Sequence, residues 1–353
     1  MTRYLIRHCT TYRYARPVQF QAHRFMLFPR SSHVIRVLES RLRCAPAARL
    51  ERTQDIFDNL IITADFSRAA RQLVIESEVT VELSAAKWPV FRIATRAHSY
   101  PFAYSSDELA DLGALLVPEH PDPGGDLTIW ARRFIHATPT DTLSLLQDLN
   151  AGILSVVHYR VRDEEGTQSP LETLARASGS CRDIAALFID AVRQLGFGAR
   201  AVSGYLCDPD MQIGDHGSTH AWAEVYLPCA GWIAFDPTHR RMGSPGLIPV
   251  AVARCNDQTT PVDGGYVGEP EDFIGMDVSV SVSQTDLPIT WRTMIRCQSL
   301  GVGGLGQEFC LRNRAEAERR QTRDFRCRTT PRSSRRSSWG WCSRSSAGSS
   351  PAS

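Results

Sequence analysis

The sequence predicts an α+β fold, in which an N-terminal antiparallel β-sandwich precedes a core of helices packed on an antiparallel sheet. Residues 73–83 alternate apolar and mostly polar side chains at period two, which is typical of a strand with one buried face. Residues 184–195 place apolar side chains at helical spacing and are followed by Gly196, which is typical of a helix end. Strand-like segments then follow at residues 199–206, 219–227 and 231–235.

The first 84 residues are predicted to form the β-sandwich. Segments around Tyr4, Val37 and Leu60 continue the β pattern, although less regularly than residues 73–83. Five prolines and the pair Gly124-Gly125 then predict a connector over residues 85–125 with at most short elements.

A second domain is predicted over residues 126–290. Helical spacing begins near Leu127, and a further helix is expected from Thr142 to Val157. The segment Ser169-Pro170-Leu171-Glu172 is a capping box with proline at the first helical position, so a short helix begins there. The next helix is the one ending at Gly196, and Cys181 lies at its N-terminal end.

Composition excludes several classes of protein. The 353 residues include ten cysteines without a CxxC pair, which favours neither a zinc ribbon nor a disulfide framework. No stretch approaches 18 consecutive apolar residues, and the first residues lack the apolar region of an export signal. We therefore expect a cytoplasmic protein with no membrane partner.

Positive charge is concentrated near the C-terminus. The formal net charge is +2, but residues 300–353 alone contain eleven arginines and four acidic residues. The Arg/Ser-rich segment 291–353 is predicted to be a disordered, low-complexity tail. Nucleic acid is not expected as a partner, because the tail lacks interleaved aromatic residues and the rest of the chain is mildly acidic. A basic arm that binds nucleic acid stays an alternative for the tail alone.

Three short segments carry the residues from which we predict chemistry. They are Gly179-Ser180-Cys181-Arg182-Asp183, Thr219-His220-Ala221-Trp222-Ala223-Glu224-Val225 and Gly231-Trp232-Ile233-Ala234-Phe235-Asp236-Pro237-Thr238. A cysteine at a helix N-terminus has a lowered pKa and is a candidate nucleophile. His220 can serve as its base, and Asp236 can orient the imidazole. Each of the three residues, taken alone, is more readily explained by a structural role. The three in this order nevertheless predict a catalytic site at Cys181, His220 and Asp236.

These segments resemble the transglutaminase-like core of the papain-type cysteine enzymes, which use cysteine, histidine and aspartate in this order. The resemblance is close over residues 159–238. More loosely, residues 17–30 and 275–278 are similar to segments of a bacterial transglutaminase-like subgroup with an N-terminal β region. The resemblance implies that residues 126–290 are a catalytic domain.

The implied reaction is acyl transfer from peptide or isopeptide amides through a thioester on Cys181. A peptide or protein is then the expected partner, and hydrolysis is preferred. Transfer of the acyl group to an amine, as in a protein-glutamine transglutaminase, is one alternative. A non-catalytic binding or scaffold protein of the same fold is the other.

Further expectations concern the surroundings of the site. The backbone N–H of Cys181 is expected to face the oxyanion, with Gln168 and Tyr159 as alternatives for the second donor. Side chains that could contact substrate in the cleft are Trp222, Trp232 and Asp183. Core packing is an equally good account of the two tryptophans, and the carboxylate also complements the helix dipole.

No metal or other cofactor is expected. One loop is crowded with Asp208, Asp210, Asp215 and His216, but their spacing matches no calcium loop. A solvated acidic loop is the preferred interpretation. The sequence gives no indication of the oligomeric state.

Overall fold

The computed structural model describes residues 2–84, 91–162, 164–207, 218–243 and 246–285. The acidic loop containing Asp208, Asp210, Asp215 and His216 and the tail at 291–353 lie outside these ranges. Within them the chain forms five α-helices and mostly antiparallel sheets, so the prediction of a mixed fold is confirmed. None of these helices is both long and apolar enough to cross a bilayer.

The α-helices are α1 (Ser106–Leu112), α2 (Asp126–Arg132), α3 (Thr142–Gly152), α4 (Pro170–Arg176) and α5 (Cys181–Gln194). The strands are β1 (Thr2–Phe20), β2 (His23–Phe25), β3 (Ile35–Ala45), β4 (Ala48–Gln54), β5 (Leu60–Phe66), β6 (Ala70–Leu83), β7 (Ser99–Tyr100), β8 (Thr140–Asp141), β9 (His158–Tyr159), β10 (Ser178–Gly179), β11 (Ala199–Leu206), β12 (Ser218–Leu227), β13 (Gly231–Asp236), β14 (Arg241–Met242), β15 (Leu247–Ala253), β16 (Val262–Asp263), β17 (Tyr266–Val267) and β18 (Phe273–Gln284). Short 3-10 turns lie at Thr95–Ala97, Gly113–Leu116, Ile153–Ser155, Asn256–Thr259 and Pro270–Asp272.

The N-terminal strands are divided between two antiparallel sheets. One has the order β17-β1-β6-β3, with β18 also paired to β1, and the other has the order β16-β2-β5-β4. The period-two segment of the sequence is β6, in which Leu73, Ile75 and Val79 are at most 1% exposed. These residues share one apolar cluster with residues of the second sheet such as Phe25 and Ile62. The buried faces of both sheets therefore contribute to one core.

Strand β18 returns to the N-terminal sheet. It runs antiparallel to β1 from Tyr4, opposite Gln284, to Arg13, opposite Gly275. The short strands β16 and β17 also join the N-terminal sheets, although the sequence analysis grouped this part of the chain with the second domain. Its local pattern identifies no partner strand, because partner choice depends on contacts distant in sequence.

The second core is built around α5 and the antiparallel sheet β14-β13-β12-β11-β15. Ile184, Leu187 and Phe188 of α5 pack in one cluster with Ala223 and Val225 of β12. Helices α2, α3 and α4 cover other faces of α5, so the helix is buried along nearly its whole length. This packing fixes the N-terminus of α5 beside β12.

Candidate active site

Cys181 is the first residue of α5, and its half-buried thiol lies at the positive end of the helix dipole. Two contacts fix the segment that enters the helix. The Arg160 N–H donates to the Gly179 carbonyl oxygen at 2.9 Å, next to the short parallel pair of β9 and β10. The Ser180 N–H donates to Asp183 Oδ2 at 2.8 Å.

The structure brings Cys181, His220 and Asp236 together. His220 lies on β12 and Asp236 ends β13, and these strands are neighbours in the sheet. His220 Nε2 lies 2.9 Å from Asp236 Oδ2, and the same ring is hydrogen-bonded to the Cys181 thiol. Because the carboxylate engages Nε2, the ring nitrogen left for the sulfur is Nδ1.

The electrostatics of the site favour the charged forms of Cys181 and His220. Burial raises the pKa of Cys181, but the hydrogen bond and charge of His220, with backbone hydrogen bonds, lower it below its ordinary value. Burial lowers the pKa of His220, but Asp236 and Cys181 outweigh this and raise it to about 10. Burial raises the pKa of Asp236, yet its two histidine partners hold it well below its usual range. At neutral pH the arrangement can therefore hold a thiolate, an imidazolium and a carboxylate.

Asp236 has a partner that the sequence analysis missed. His239 Nδ1 lies 2.8 Å from Asp236 Oδ2, the oxygen that also contacts His220. The Thr238 N–H donates to Asp236 Oδ1 at 3.1 Å. The sequence signal was a histidine three residues after the aspartate, across the turn that begins at Pro237.

Trp222 packs against the ring of His220. The tryptophan is 1% exposed, and its ring stacks on the imidazole with centroids 6.0 Å apart and an interplanar angle of 24°. It packs in a buried cluster that includes Val202 and Ala234. The burial favours the core-packing interpretation of Trp222, and its contact with substrate stays a prediction.

Trp232 lies away from the three residues. It stands opposite Tyr226 in the register of β12 and β13, and the Arg200 guanidinium carbon lies 4.1 Å from its ring centroid. Trp232 precedes Asp236 by four residues on the same strand. At a rise of about 3.3 Å per residue the two are roughly 13 Å apart along the strand. The structure thus does not place Trp232 at the site.

Asp183 is a buried capping carboxylate. It is 0% exposed and accepts hydrogen bonds from Arg162 Nε at 2.8 Å and from the Gln168 N–H at 2.8 Å, besides those from Ser180. Burial raises its pKa, but these hydrogen bonds outweigh that effect and lower it. Asp183 therefore organises the start of α5, and its contact with substrate stays a prediction.

The two candidates for a second oxyanion donor both lie beside the segment that precedes Cys181. Gln168 is 6% exposed, and exchanging the oxygen and nitrogen of its amide would let the nitrogen donate to the Ser178 carbonyl and the oxygen accept from Arg162 Nε, each at 3.2 Å. Tyr159 is 52% exposed and pairs with Gly179 through the backbone. The oxyanion role stays a prediction for both Gln168 and Tyr159.

Among the described residues, His220, Asp236 and His239 form the one group of three whose potential metal-ligand atoms lie within 4.8 Å of one another. These atoms are already joined by hydrogen bonds, since Asp236 Oδ2 lies between the two ring nitrogens. The arrangement is that of a histidine oriented by a carboxylate, which suits proton transfer.

Comparisons with known proteins agree with this geometry. Residues 4–82 match the bacterial transglutaminase-like N-terminal region, and residues 130–237, which contain all three residues, match the transglutaminase-like superfamily. The uncharacterized protein Rv2569c of Mycobacterium tuberculosis is 29% identical over 298 residues, which cover 79% of this chain and 92% of that protein. The uncharacterized protein ML0607 of Mycobacterium leprae is 26% identical over 303 residues, covering 80% and 99% of the two chains.

A solved structure shares the fold. It is the crystal structure of a candidate cysteine protease from Cytophaga hutchinsonii, which aligns with a TM-score of 0.61 at 18% identity. The match covers 81% of this chain and 92% of that one. The resemblance inferred from the sequence is confirmed: residues 130–237 match the transglutaminase-like superfamily, and residues 4–82 match the bacterial transglutaminase-like N-terminal region.

Proposed function

We propose that this protein is a cysteine-dependent enzyme that cleaves peptide or isopeptide amides through a thioester on Cys181, with water as the usual acceptor. The observation that carries the proposal is the hydrogen-bonded connection from the Cys181 thiol through His220 to Asp236 at the N-terminus of a buried helix. The match of residues 130–237 to the superfamily supports cysteine-dependent chemistry.

In the first half-reaction the Cys181 thiolate attacks the amide carbonyl carbon. The backbone N–H of Cys181 lies in the first turn of α5, where N–H groups lack partners within the helix, so we expect it to stabilise the oxyanion. His220 then gives its Nδ1 proton to the leaving amine as the C–N bond breaks. A thioester and a free amine result.

In the second half-reaction His220, now neutral, takes a proton from water as the water oxygen attacks the thioester. The C–S bond breaks, the acid product leaves, and the thiolate and imidazolium are restored. Asp236 keeps the Nε2–H of His220 directed at itself, so that Nδ1 faces the sulfur throughout.

Substitution of the three residues tests this assignment. Cys181→Ser should abolish turnover, and His220→Ala should be nearly as severe, because thiol activation and the leaving-group proton are both lost. Asp236→Asn should cost roughly ten- to a thousandfold in kcat, since other contacts partly hold the ring. Cys229→Ser, which removes an exposed free thiol outside the site, is the matched control. Wild-type turnover by a folded Cys181→Ser protein would overturn the proposal.

Hydrolysis and amine transfer are separated by product analysis. A labelled peptide library should be incubated with the protein in the presence and absence of a primary amine, and the products identified by mass spectrometry. The similarity to a candidate cysteine protease favours hydrolysis, so the acid product should dominate. Amine incorporation exceeding hydrolysis would identify a transglutaminase-type enzyme instead.

The scaffold alternative is tested by thiol reactivity. If the site is active, iodoacetamide should label Cys181 far faster than the other cysteines below pH 7, because this thiol is paired with the imidazole of His220. Uniform slow labelling of all cysteines would favour a non-catalytic protein.

We further propose a cytoplasmic protein with residues 1–84 as a β-sandwich domain beside a catalytic domain within 126–290. Five cysteines in the described ranges are free thiols, which suits a reducing compartment: Cys9, Cys44, Cys181, Cys229 and Cys255. The two N-terminal sheets sharing one core support the sandwich. Cell fractionation that recovers the native protein outside the cytoplasm would contradict the localisation.

A further inference from the structure

The carboxylate of Asp236 accepts hydrogen bonds from two further donors besides the proposed catalytic histidine. Asp236 is 1% exposed, and its Oδ2 accepts from both His220 Nε2 and His239 Nδ1, at 2.9 Å and 2.8 Å. Its Oδ1 accepts from the Thr238 N–H at 3.1 Å. The mechanism described above uses His220 and leaves His239 without a role.

We propose that His239 is a positioning residue, which holds Asp236 Oδ2 against the His220 ring by donating from Nδ1. The inference rests on the proposed function of the same site and deepens it. It assigns to His239 no contact with substrate.

The local backbone explains why His239 reaches the carboxylate. The chain turns at Asp236-Pro237-Thr238-His239, and the His239 N–H lies 3.3 Å from the Asp236 carbonyl oxygen. Pro237 fixes one backbone dihedral of the turn, while the Thr238 N–H binds the side chain of Asp236 in the manner of an Asx turn. The turn therefore folds the His239 side chain back over the residue that orients His220.

The number of donors determines how firmly the carboxylate is oriented. With Thr238 on one oxygen and two rings on the other, both the rotation and the tilt of the carboxylate are restrained. Without His239, Oδ2 keeps one protein donor, and a water that replaced the ring would not be held in place by the turn. Looser restraint of Asp236 would let the His220 ring turn away from the sulfur.

Packing alone is the competing account, because the rings of His239 and His220 lie edge to face with centroids 5.0 Å apart. Two substitutions separate the accounts. Asparagine places an amide N–H close to where imidazole has Nδ1–H, whereas leucine fills similar space and donates nothing. The side chain of His239 is 23% exposed, so part of it already faces solvent.

The experiment compares His239→Asn with His239→Leu in the full-length protein. The readouts are kcat and KM on a cleaved peptide and, separately, the rate of Cys181 alkylation by iodoacetamide from pH 5 to 9. His239→Leu should lower kcat about tenfold with KM changed less than twofold, the effect of one lost hydrogen bond. Its alkylation midpoint should move towards that of an ordinary thiol. His239→Asn should stay within about threefold of wild type in both readouts.

Two variants that behave alike, whether both active or both impaired, would overturn the proposal, as would a more active leucine variant. Thermal melting checks folding, and His239→Ala replaces the leucine variant if leucine disrupts the turn. The alkylation readout does not require turnover. If the expected ordering appears in alkylation while no peptide is cleaved by the wild type, the proposed function fails and the positioning role stands.

Discussion

Replacing Asp183 by asparagine should destabilise the protein strongly although the side chain keeps its shape. The carboxylate is 0% exposed and accepts from Arg162 Nε and from two backbone N–H groups, those of Gln168 and Ser180. An amide cannot neutralise the guanidinium, and its NH₂ group would face donors. The arginine would then be left without its buried partner.

The magnitude follows from the burial of this ion pair. Removing one partner of a buried pair costs about 3–5 kcal/mol. The Arg162 side chain is 13% exposed and also donates to the Gly166 carbonyl oxygen at 2.9 Å, so part of its charge stays solvated. We therefore expect the lower end, a loss of about 3 kcal/mol in the free energy of unfolding.

Urea denaturation at pH 7 measures this loss, with Glu172→Gln as the matched control. Glu172 pairs with Arg176 at 2.9 Å on the surface of α4, where both side chains are well exposed, and its removal should cost at most about 0.5 kcal/mol. The pKa of Asp183 is lowered in the folded state, so its stabilisation is present above the unfolded pKa and is lost as the pH falls through the folded value. The difference between wild type and Asp183→Asn should thus narrow below about pH 4. An Asp183→Asn protein no less stable than the Glu172→Gln control at pH 7 would refute this reasoning.

Two further predictions concern backbone packing and pH. Gly204→Ala should lower the free energy of unfolding by about 2 kcal/mol or more in urea denaturation, because a Cβ there would lie 2.1 Å from the Ile248 carbonyl oxygen. Gly275→Ala is the control and should be near neutral, because nothing lies within 4 Å of a Cβ at that position. Equal effects of the two substitutions would contradict the argument. Because the pKa of Cys181 is lowered, its alkylation should persist to lower pH than that of an ordinary thiol, with the rate falling as the pH drops through that lowered value. In His220→Ala the midpoint should rise towards that of an ordinary thiol, near 9, and an unchanged profile would show that the histidine does not activate the sulfur.

Local patterns predicted the elements that carry the site. The apolar spacing after Cys181 corresponds to α5, and the capping box at Ser169 corresponds to α4, whose N-cap hydroxyl accepts from the Glu172 N–H. Such features depend on residues within one or two turns of one another, so a single sequence contains them. The elements that carry the three residues were predicted in the same way: Cys181 begins α5, His220 is the third residue of β12, and Asp236 ends β13.

Features that depend on strand register and burial could not be predicted from local sequence patterns. Trp222 and Trp232 are equally aromatic in the sequence, but pairing places one under His220 and the other opposite Tyr226. His239 immediately follows residues 231–238, the segment from which Asp236 was predicted. Its contact with Asp236 depends on the turn between the two residues, which the sequence pattern does not show. The sequence records the residue type, whereas the direction of its side chain depends on tertiary contacts.

The long pairing of β18 with β1 has a consequence for biosynthesis. Tyr14 on β1 lies opposite Phe273, a residue made 259 positions later. At about 5–20 residues per second, β1 waits roughly 13 to 50 seconds for the strand that covers its second edge. An uncovered strand edge is a template for pairing with other chains. A chain that stops short of Phe273 is therefore expected to depend on chaperones or to associate through β1, even though every residue proposed for catalysis has already been made.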